Sequence, residues 1–334
     1  MNPPPAEIGS PIAEIETPAL VIDLDALERN IAKMAAFSRT TGVGVRPHAK
    51  THKSAEIARR QMAQGAIGHC AQTVGEAEVL VRGGITDVLL SNQVVSPHKL
   101  RRLAALARDA RIALCFDAPD QVDTAAAVAR ECGVELGALV EIEVGMERCG
   151  IAPGRDAAAL ARHIAQSPGL NFRGLQAYHG RAQHLPHYHE RAQAIAYAVA
   201  AVRETRQALA AATLACEIVS GAGTGTFPFE AASGVYTELQ VGSYVFMDTE
   251  YARIGDKSGG LYREFEHSLF VLASVISTPS TNRAVVDAGL KSISGERGPP
   301  WVRGRSGLEC AGISDEHSKI AVAPGRAADA PSPF

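Results

Sequence analysis

Eight short apolar, β-rich runs alternate with alanine-rich stretches of helical period, and this alternation restricts the fold more than any other feature. The runs cover residues 43–48, 67–72, 87–92, 111–117, 138–144, 173–179, 216–220 and 238–245. Between them lie helical stretches at 53–64, 75–83, 97–109, 119–132, 156–167 and 187–212, with a short piece near 229–236. Strands that alternate with helices build a parallel sheet, because each strand needs a helix-length return to its neighbour. Eight units in roughly 200 residues suit a closed (β/α)8 barrel of TIM type. An open, doubly wound sheet with extra strands is the alternative.

The flanks read differently. Met1 to Glu16 is proline-rich and reads as a flexible N-terminal arm at 1–16. Thr17-Pro18-Ala19-Leu20-Val21-Ile22 is strand-like and leads into a helix through about Phe37. The barrel domain is expected over 17–265. Beyond Asp248 the helices fade, and 268–277 and 283–288 read as antiparallel strands joined by Gly/Pro-rich connections. They define a β-rich C-terminal domain at 266–322, with which the strand at 17–24 can pair. Residues 323–334 have no periodicity and read as a disordered tail.

Composition excludes several classes of function. A net charge of -3 on 334 residues gives no electrostatic reason to bind nucleic acid or an anionic membrane. No apolar run reaches the length of a membrane span, and no leader pattern is present, so no membrane partner is expected. Six cysteines without a C-x-x-C pair read as free thiols of a cytoplasmic protein.

In such a barrel, chemistry sits at the C-terminal strand ends. The first run ends at His48 and Lys50, the second at Gln72 and Thr73, the third at Ser91 and Asn92. The fifth leads to Glu147 and Arg148, and the sixth to Gln176, Tyr178 and His179. The seventh runs into Ser220-Gly-Ala-Gly223-Thr224-Gly225, the eighth into Gly242-Ser243-Tyr244. Loops after strands seven and eight are the usual phosphate seat of this fold, where glycine exposes backbone N–H groups. Ser220, Thr224 and Ser243 add hydroxyls. As a dinucleotide fingerprint the glycine run comes too late in the chain and lacks an acidic residue for a ribose.

Lys50 opposite a phosphate loop points to a phosphorylated carbonyl cofactor held as a Schiff base. The amine must be neutral to attack, which burial and cationic neighbours such as Arg46 and His52 favour. Arg148 lies beside the cofactor ring or else forms an outward salt bridge with Glu147. Tyr178 supports the ring or is a core tyrosine. His184 and His187 are one helical turn apart and could ligate a metal or face solvent; His317 is equally open.

Together, Arg46-Pro-His-Ala-Lys50-Thr-His52-Lys, Gln176-Ala-Tyr178-His-Gly, Val219-Ser220-Gly-Ala-Gly223-Thr224-Gly, Gln240-Val-Gly242-Ser243-Tyr244 and Val285-Val-Asp-Ala-Gly resemble the D-threonine aldolase and D-serine dehydratase family. The likeness is greatest to its 3-hydroxy-D-aspartate and D-threonine aldolase branch and covers about residues 16 to 322. It implies a fold-type III pyridoxal phosphate enzyme, an alanine-racemase-like barrel with a C-terminal β domain, and a homodimer. By position Lys50 matches the Schiff-base lysine. Arg148 and Tyr178 match residues around the cofactor ring, with His52 as a further catalytic candidate. Gly223, Thr224, Gly242, Ser243 and Tyr244 match the phosphate clamp, and Gln72 lies in the pocket.

The implied reaction is metal-assisted retro-aldol cleavage of a D-3-hydroxy amino acid to glycine and an aldehyde. A D-serine or 3-hydroxyaspartate dehydratase is the second expectation. The family's divalent metal (Mn, Mg, Co or Zn) sits on a C-terminal His-x-Cys-Asp or His-x-Asp motif that is not found here. The last histidine is His317 and the last cysteine Cys310. The odd tail after Pro324 leads us to expect a truncated or frame-changed β domain, and with it a third possibility, a catalytically impaired cofactor-binding protein.

Overall fold

Side chains alternate across each central strand, and that period-two pattern builds the structure, here a computed structural model describing residues 6–323. The elements in order are β1 (Ala19–Ile22), α1 (Leu24–Thr41), β2 (Gly44–Val45), α2 (Ala55–Ala63), β3 (His69–Ala71), α3 (Val74–Arg82), β4 (Asp87–Leu90) and α4 (Pro97–Leu106). Then come β5 (Arg111–Phe116), α5 (Pro119–Cys132), β6 (Leu136–Glu141), α6 (Arg155–Ala165), β7 (Leu170–Ala177), α7 (Tyr188–Ala211), β8 (Ile218–Gly221), α8 (Phe227–Ala232) and β9 (Glu238–Leu239). The last strands are β10 (Leu269–Leu272), β11 (Val275–Ser280), β12 (Arg283–Val286), β13 (Leu308–Ile313) and β14 (Ser318–Val322).

Strands β2 to β9 form one parallel sheet in the order β2-β9-β8-β7-β6-β5-β4-β3. Its two ends meet. The Ile67 amide donates to Val45 O (2.9 Å) and the Cys70 amide to Pro47 O (2.8 Å), and a parallel bridge joins His48 to Cys70. The sheet is therefore a closed TIM-type barrel. Leu89, Cys115, Leu139 and Cys70 point inward and plug its centre. Their neighbours Val88, Leu90, Leu114, Phe116, Ala138 and Val140 point outward and pack against the helices. Strands buried on both faces lose the polar alternation of a half-exposed sheet, which is why they read as continuous apolar runs.

Helix boundaries have local causes. Ser54 and Thr73 cap α2 and α3, accepting from Ile57 N and Glu76 N. Prolines open α4 and α5, and Gly133 closes α5 in the left-handed region at φ 65°. At the N-terminal strand ends, Arg46 is 6% exposed and pairs with Glu238 on β9 (2.9 Å) and Asp87 on β4 (2.5 Å). Asp87 also takes Arg111 from β5 (2.9 Å). These ion pairs bridge the seam where the barrel closes.

The other described residues form a second unit: residues 6–27, Phe246–Ala252 and residues 266–323. Here β1 pairs antiparallel with β10, in the register Ala19↔Leu272 to Ile22↔Leu269. A second antiparallel sheet has the order β11-β12-β14-β13. The run expected as one strand at 268–277 is two strands, β10 and β11, in separate sheets. Ser274 causes the break, since its amide donates to Asp287 Oδ1 (2.8 Å) and its carbonyl accepts from the Asp287 amide (3.2 Å). The N-terminal arm contains one 3-10 turn, Ile12–Glu14. From residue 324 the expected tail lies outside the described residues. Among those residues no helix is long and apolar enough to cross a membrane.

Candidate functional site

The first strand was expected to run from 43 to 48; the regular strand β2 covers only Gly44–Val45, but main-chain pairing continues from the Arg46 amide to Leu239 O (2.9 Å) and from the His48 amide to Val241 O (3.0 Å) before the chain turns. His48 starts the 3-10 turn Ala49–Thr51 by accepting the Lys50 amide on Nδ1 (3.3 Å). That bond leaves the proton on Nε2, which donates to Ser91 Oγ (3.0 Å) beyond the end of β4. His48 is thus a neutral bracket between two strand ends. Burial first, then the Lys50 charge, holds its pKa well below the usual imidazole range.

Lys50, on this turn, is solvent-accessible yet walled by protein. Its Nζ lies 5.7 Å from the centre of the Tyr178 ring at the end of β7. Arg148 lies on the same ring, with Cζ 5.8 Å from the centre. The Lys50 ammonium is pushed below the ordinary amine range by burial first and by the Arg148 charge next. Arg46 and His52 were expected in that role and do not fill it. The Arg46 guanidinium is committed to Glu238 and Asp87 at the other strand ends.

Arg148 is positioned by a tight loop. The Glu143 carboxylate accepts the amides of Gly145, Met146 (2.7 Å) and Glu147 (2.8 Å), and Ile142 bridges back to Ile151. Gly150 sits at φ 114°, where a Cβ would meet the Glu143 amide at 2.6 Å, so the loop closes only with glycine there. Arg148 then reaches Glu141, the last residue of β6 (3.5 Å). Glu141 also accepts from Gln93 Nε2 (2.7 Å), and burial raises its pKa. The outward pair with Glu147 does not form; Glu147 binds Arg181 instead (2.8 Å).

Facing Lys50 from the seventh and eighth strand ends are two loops whose inner surface is backbone. At Gly223 a Cβ would meet Gln183 Oε1 at 2.5 Å, and at Gly242 it would meet Thr51 Oγ1 at 2.6 Å. Among the described residues, the amides of Gly223, Thr224, Gly242, Ser243 and Tyr244 make no intramolecular hydrogen bond. Thr224 Oγ1 is buried with no partner. Unsatisfied amides around an unsatisfied buried hydroxyl suit an anion with several acceptor oxygens, and so fit a phosphate group.

Other predicted residues point elsewhere. The Ser220 hydroxyl accepts from Gln240 Nε2 (2.7 Å), which also donates to Gln176 Oε1 (2.6 Å) inside the barrel. The Tyr244 phenol accepts from Gln61 Nε2 (2.8 Å), whose Oε1 accepts in turn from His69 Nε2 (2.9 Å), so only the Tyr244 main chain can serve the loop. The His52 ring lies against His69, with centroids 6.5 Å apart. Its Nδ1 accepts from Ser54 N (3.0 Å), its Nε2 has no partner, and burial lowers its pKa to about 4. Gln72 donates its amide to Glu76 (2.8 Å). His184 ends the 3-10 turn Arg181–His184, whereas His187 caps α7 and stacks on His189 at 5.7 Å. Among the described residues no group of three or more His, Cys, Asp or Glu side chains is placed to hold a metal.

Residues absent from the sequence reading hold the glycine loop in place. Gln183 accepts the Gly225 amide (3.0 Å), and the fully buried Arg191 donates to Gly225 O (3.1 Å), Leu185 O (2.9 Å) and the Gly255 carbonyl. Tyr262 donates to Thr224 O (2.8 Å) and Tyr236 to Ala177 O (2.9 Å).

A closed α/β barrel with a turn-mounted lysine facing two side-chain-free loops defines the alanine-racemase-like class. The family described as alanine racemase, N-terminal domain, matches residues 22–250, and a serine dehydratase domain matches 268–332. The chain belongs to the D-threonine aldolase and D-serine dehydratase family within that class, whose enzymes are pyridoxal phosphate-dependent lyases. It is 46% identical to a D-threonine aldolase of Arthrobacter sp over 97% of this chain and 84% of that protein. It is 44% identical to a 3-hydroxy-D-aspartate aldolase of Paracoccus denitrificans (strain Pd 1222) over 95% and 83%. A D-threo-3-hydroxyaspartate dehydratase of Delftia sp. is 33% identical over 94% and 85%. The crystal structure of D-threonine aldolase from Filomicrobium marinum superposes with a TM-score of 0.93 at 46% identity, covering 96% of this chain and 86% of that one.

Proposed function

We propose that this protein cleaves D-3-hydroxy amino acids, D-threonine and 3-hydroxy-D-aspartate among them, to glycine and an aldehyde, with pyridoxal phosphate held at Lys50. The observation that carries the reading is Lys50 on its bracketed turn, opposite unpaired amides and the orphaned Thr224 hydroxyl. The identity with two relatives named aldolases supports this outcome over the dehydratase, whose named relative is more distant. When bound, pyridoxal phosphate supplies an electron sink for cleavage at the substrate's Cα–Cβ bond.

The protein's own residues supply the rest. Lys50, its ammonium disfavoured by burial and by Arg148, offers a neutral amine to the cofactor's carbonyl. The amides of Gly223, Thr224, Gly242, Ser243 and Tyr244, with Thr224 Oγ1, would receive the phosphate oxygens. Ser220, which pairs with Gln240 inside the barrel, would contribute to that seat through its main chain alone. Tyr178 gives the cofactor ring a wall, and Arg148, held by Glu141, places a fixed positive charge beside it. His48 and His52, both held neutral, leave Arg148 as the fixed cation acting on Lys50; Gln72 lines the same mouth.

A divalent metal would assist deprotonation of the substrate's 3-hydroxyl in this family, but the described residues present no ligand set for it, and no step is assigned to one. Free cysteines support a cytoplasmic setting, and the family resemblance supports a homodimer. The test is to incubate the pure protein with pyridoxal phosphate and reduce it with borohydride, then map the modified peptide. D-Threonine and D-3-hydroxyaspartate are then assayed for glycine and for keto acid. Label on Lys50 with glycine as product supports the reading. Keto acid would make the protein a dehydratase, and no label on Lys50 refutes the cofactor assignment.

A further inference from the structure

Behind the glycine loop stands a relay of three buried side chains with no part in the chemistry above. Gln183, Thr226 and Glu230 are each no more than 1% exposed. The Glu230 Oε1 accepts from the Thr226 hydroxyl (2.7 Å). Thr226 Oγ1 in turn accepts from Gln183 Nε2 (2.7 Å), which donates also to His179 O (3.2 Å). Gln183 Oε1 accepts the Gly225 amide (3.0 Å) and fills the space where a Gly223 Cβ would stand.

The relay has a direction. Thr226 owns a single proton and gives it to Glu230, so it can only accept from Gln183. Gln183 must then turn its amide nitrogen to Thr226 and its oxygen to the loop. Without an acceptor at position 230, the Thr226 proton would turn toward Gln183 and reward a flipped amide. The flip would set NH2 against the Gly225 N–H and push the loop off its seat. Arg191 does not replace the relay, because it grips the Gly225 carbonyl and leaves the amide side of that residue to Gln183.

We propose that Glu230 is a positioning residue which, through Thr226 and Gln183, fixes the polarity and place of the Gly223–Gly225 backbone for a phosphoryl group. The proposal rests on the reading of that loop as the phosphate seat of pyridoxal phosphate.

The full-length protein, freed of cofactor, is titrated with pyridoxal phosphate and with phosphate-free pyridoxal, following the absorbance of bound cofactor. The readout is the ratio of the two affinities. For E230L and T226V that ratio should fall about tenfold, with pyridoxal affinity kept within about twofold, the size expected for one misdirected buried hydrogen bond. E230Q keeps an acceptor oxygen for Thr226 and should restore the wild-type ratio. A folded T226V or E230L with the wild-type ratio overturns the proposal, as does equal loss of both cofactors or failure of E230Q to rescue. A wild-type protein that binds both cofactors equally well overturns the phosphate-seat reading itself.

Discussion

Replacing Glu230 with glutamine should flatten the pH dependence of folding stability over a predictable window. Burial pushes the Glu230 carboxyl up from an ordinary 4.5 to about 7, the hydrogen bond from Thr226 offsetting only part of that. Between those two values the folded protein keeps a proton that the unfolded chain has released. Stability from this group is therefore complete below about pH 4.5 and is lost as pH rises through about 7. A shift of this size corresponds to about 3 kcal/mol in all, of which about 2.5 kcal/mol falls between pH 5 and pH 8. The assay is urea unfolding of the cofactor-free wild type and E230Q at several pH values across that range, followed by far-UV circular dichroism. The glutamine adds a constant offset, but only the wild type should lose stability with rising pH relative to the variant. Parallel stability curves for the two proteins would show that Glu230 does not titrate in this window and sink the argument.

Three further outcomes follow from the geometry. Lys50→Ala should abolish borohydride labelling and lower turnover by about three orders of magnitude or more, with an unchanged melting curve of the cofactor-free protein, since the side chain makes no ion pair among the described residues. Gly242→Ala forces a Cβ to within 2.6 Å of Thr51 Oγ1, and should weaken pyridoxal phosphate binding and cost about 1–3 kcal/mol in urea unfolding. Glu238→Ala leaves the Arg46 guanidinium buried with half its partners gone, and should cost about 3–5 kcal/mol in the same assay while cofactor affinity is retained.

Much of the barrel was legible because residues such as Val88, Leu89 and Leu90 are buried on both sheet faces and leave an unbroken apolar signature. The strand ends were not. Val241, Tyr244 and Val245 are as apolar as any strand, yet Gly242 packs on Thr51 and the chain there coils into a 3-10 turn. Of the site, Lys50 and the glycine runs announced themselves by position at strand ends. Arg46 misled, because a lysine-proximal arginine in sequence sits four residues back along a strand and points to the far end of the barrel. Gln183, Arg191 and Glu230 carried no signal. Each is a single polar residue in a turn or helix, and only the fold reveals that its partners are backbone groups of a loop 34 or more residues away or, for Glu230, a threonine one turn back.

Cys70 and Cys115, sealed in the plug at the barrel centre, are also a chemical clock. Burial raises both thiols above their ordinary range, so neither the thiolate nor access to it exists while the barrel is shut. Half-buried Cys132 and Cys149 will react with an aromatic disulfide reagent in the native protein, whereas Cys70 and Cys115 wait for the strands around them to part. The delay between the two groups therefore times the opening of the barrel from within, without any introduced label.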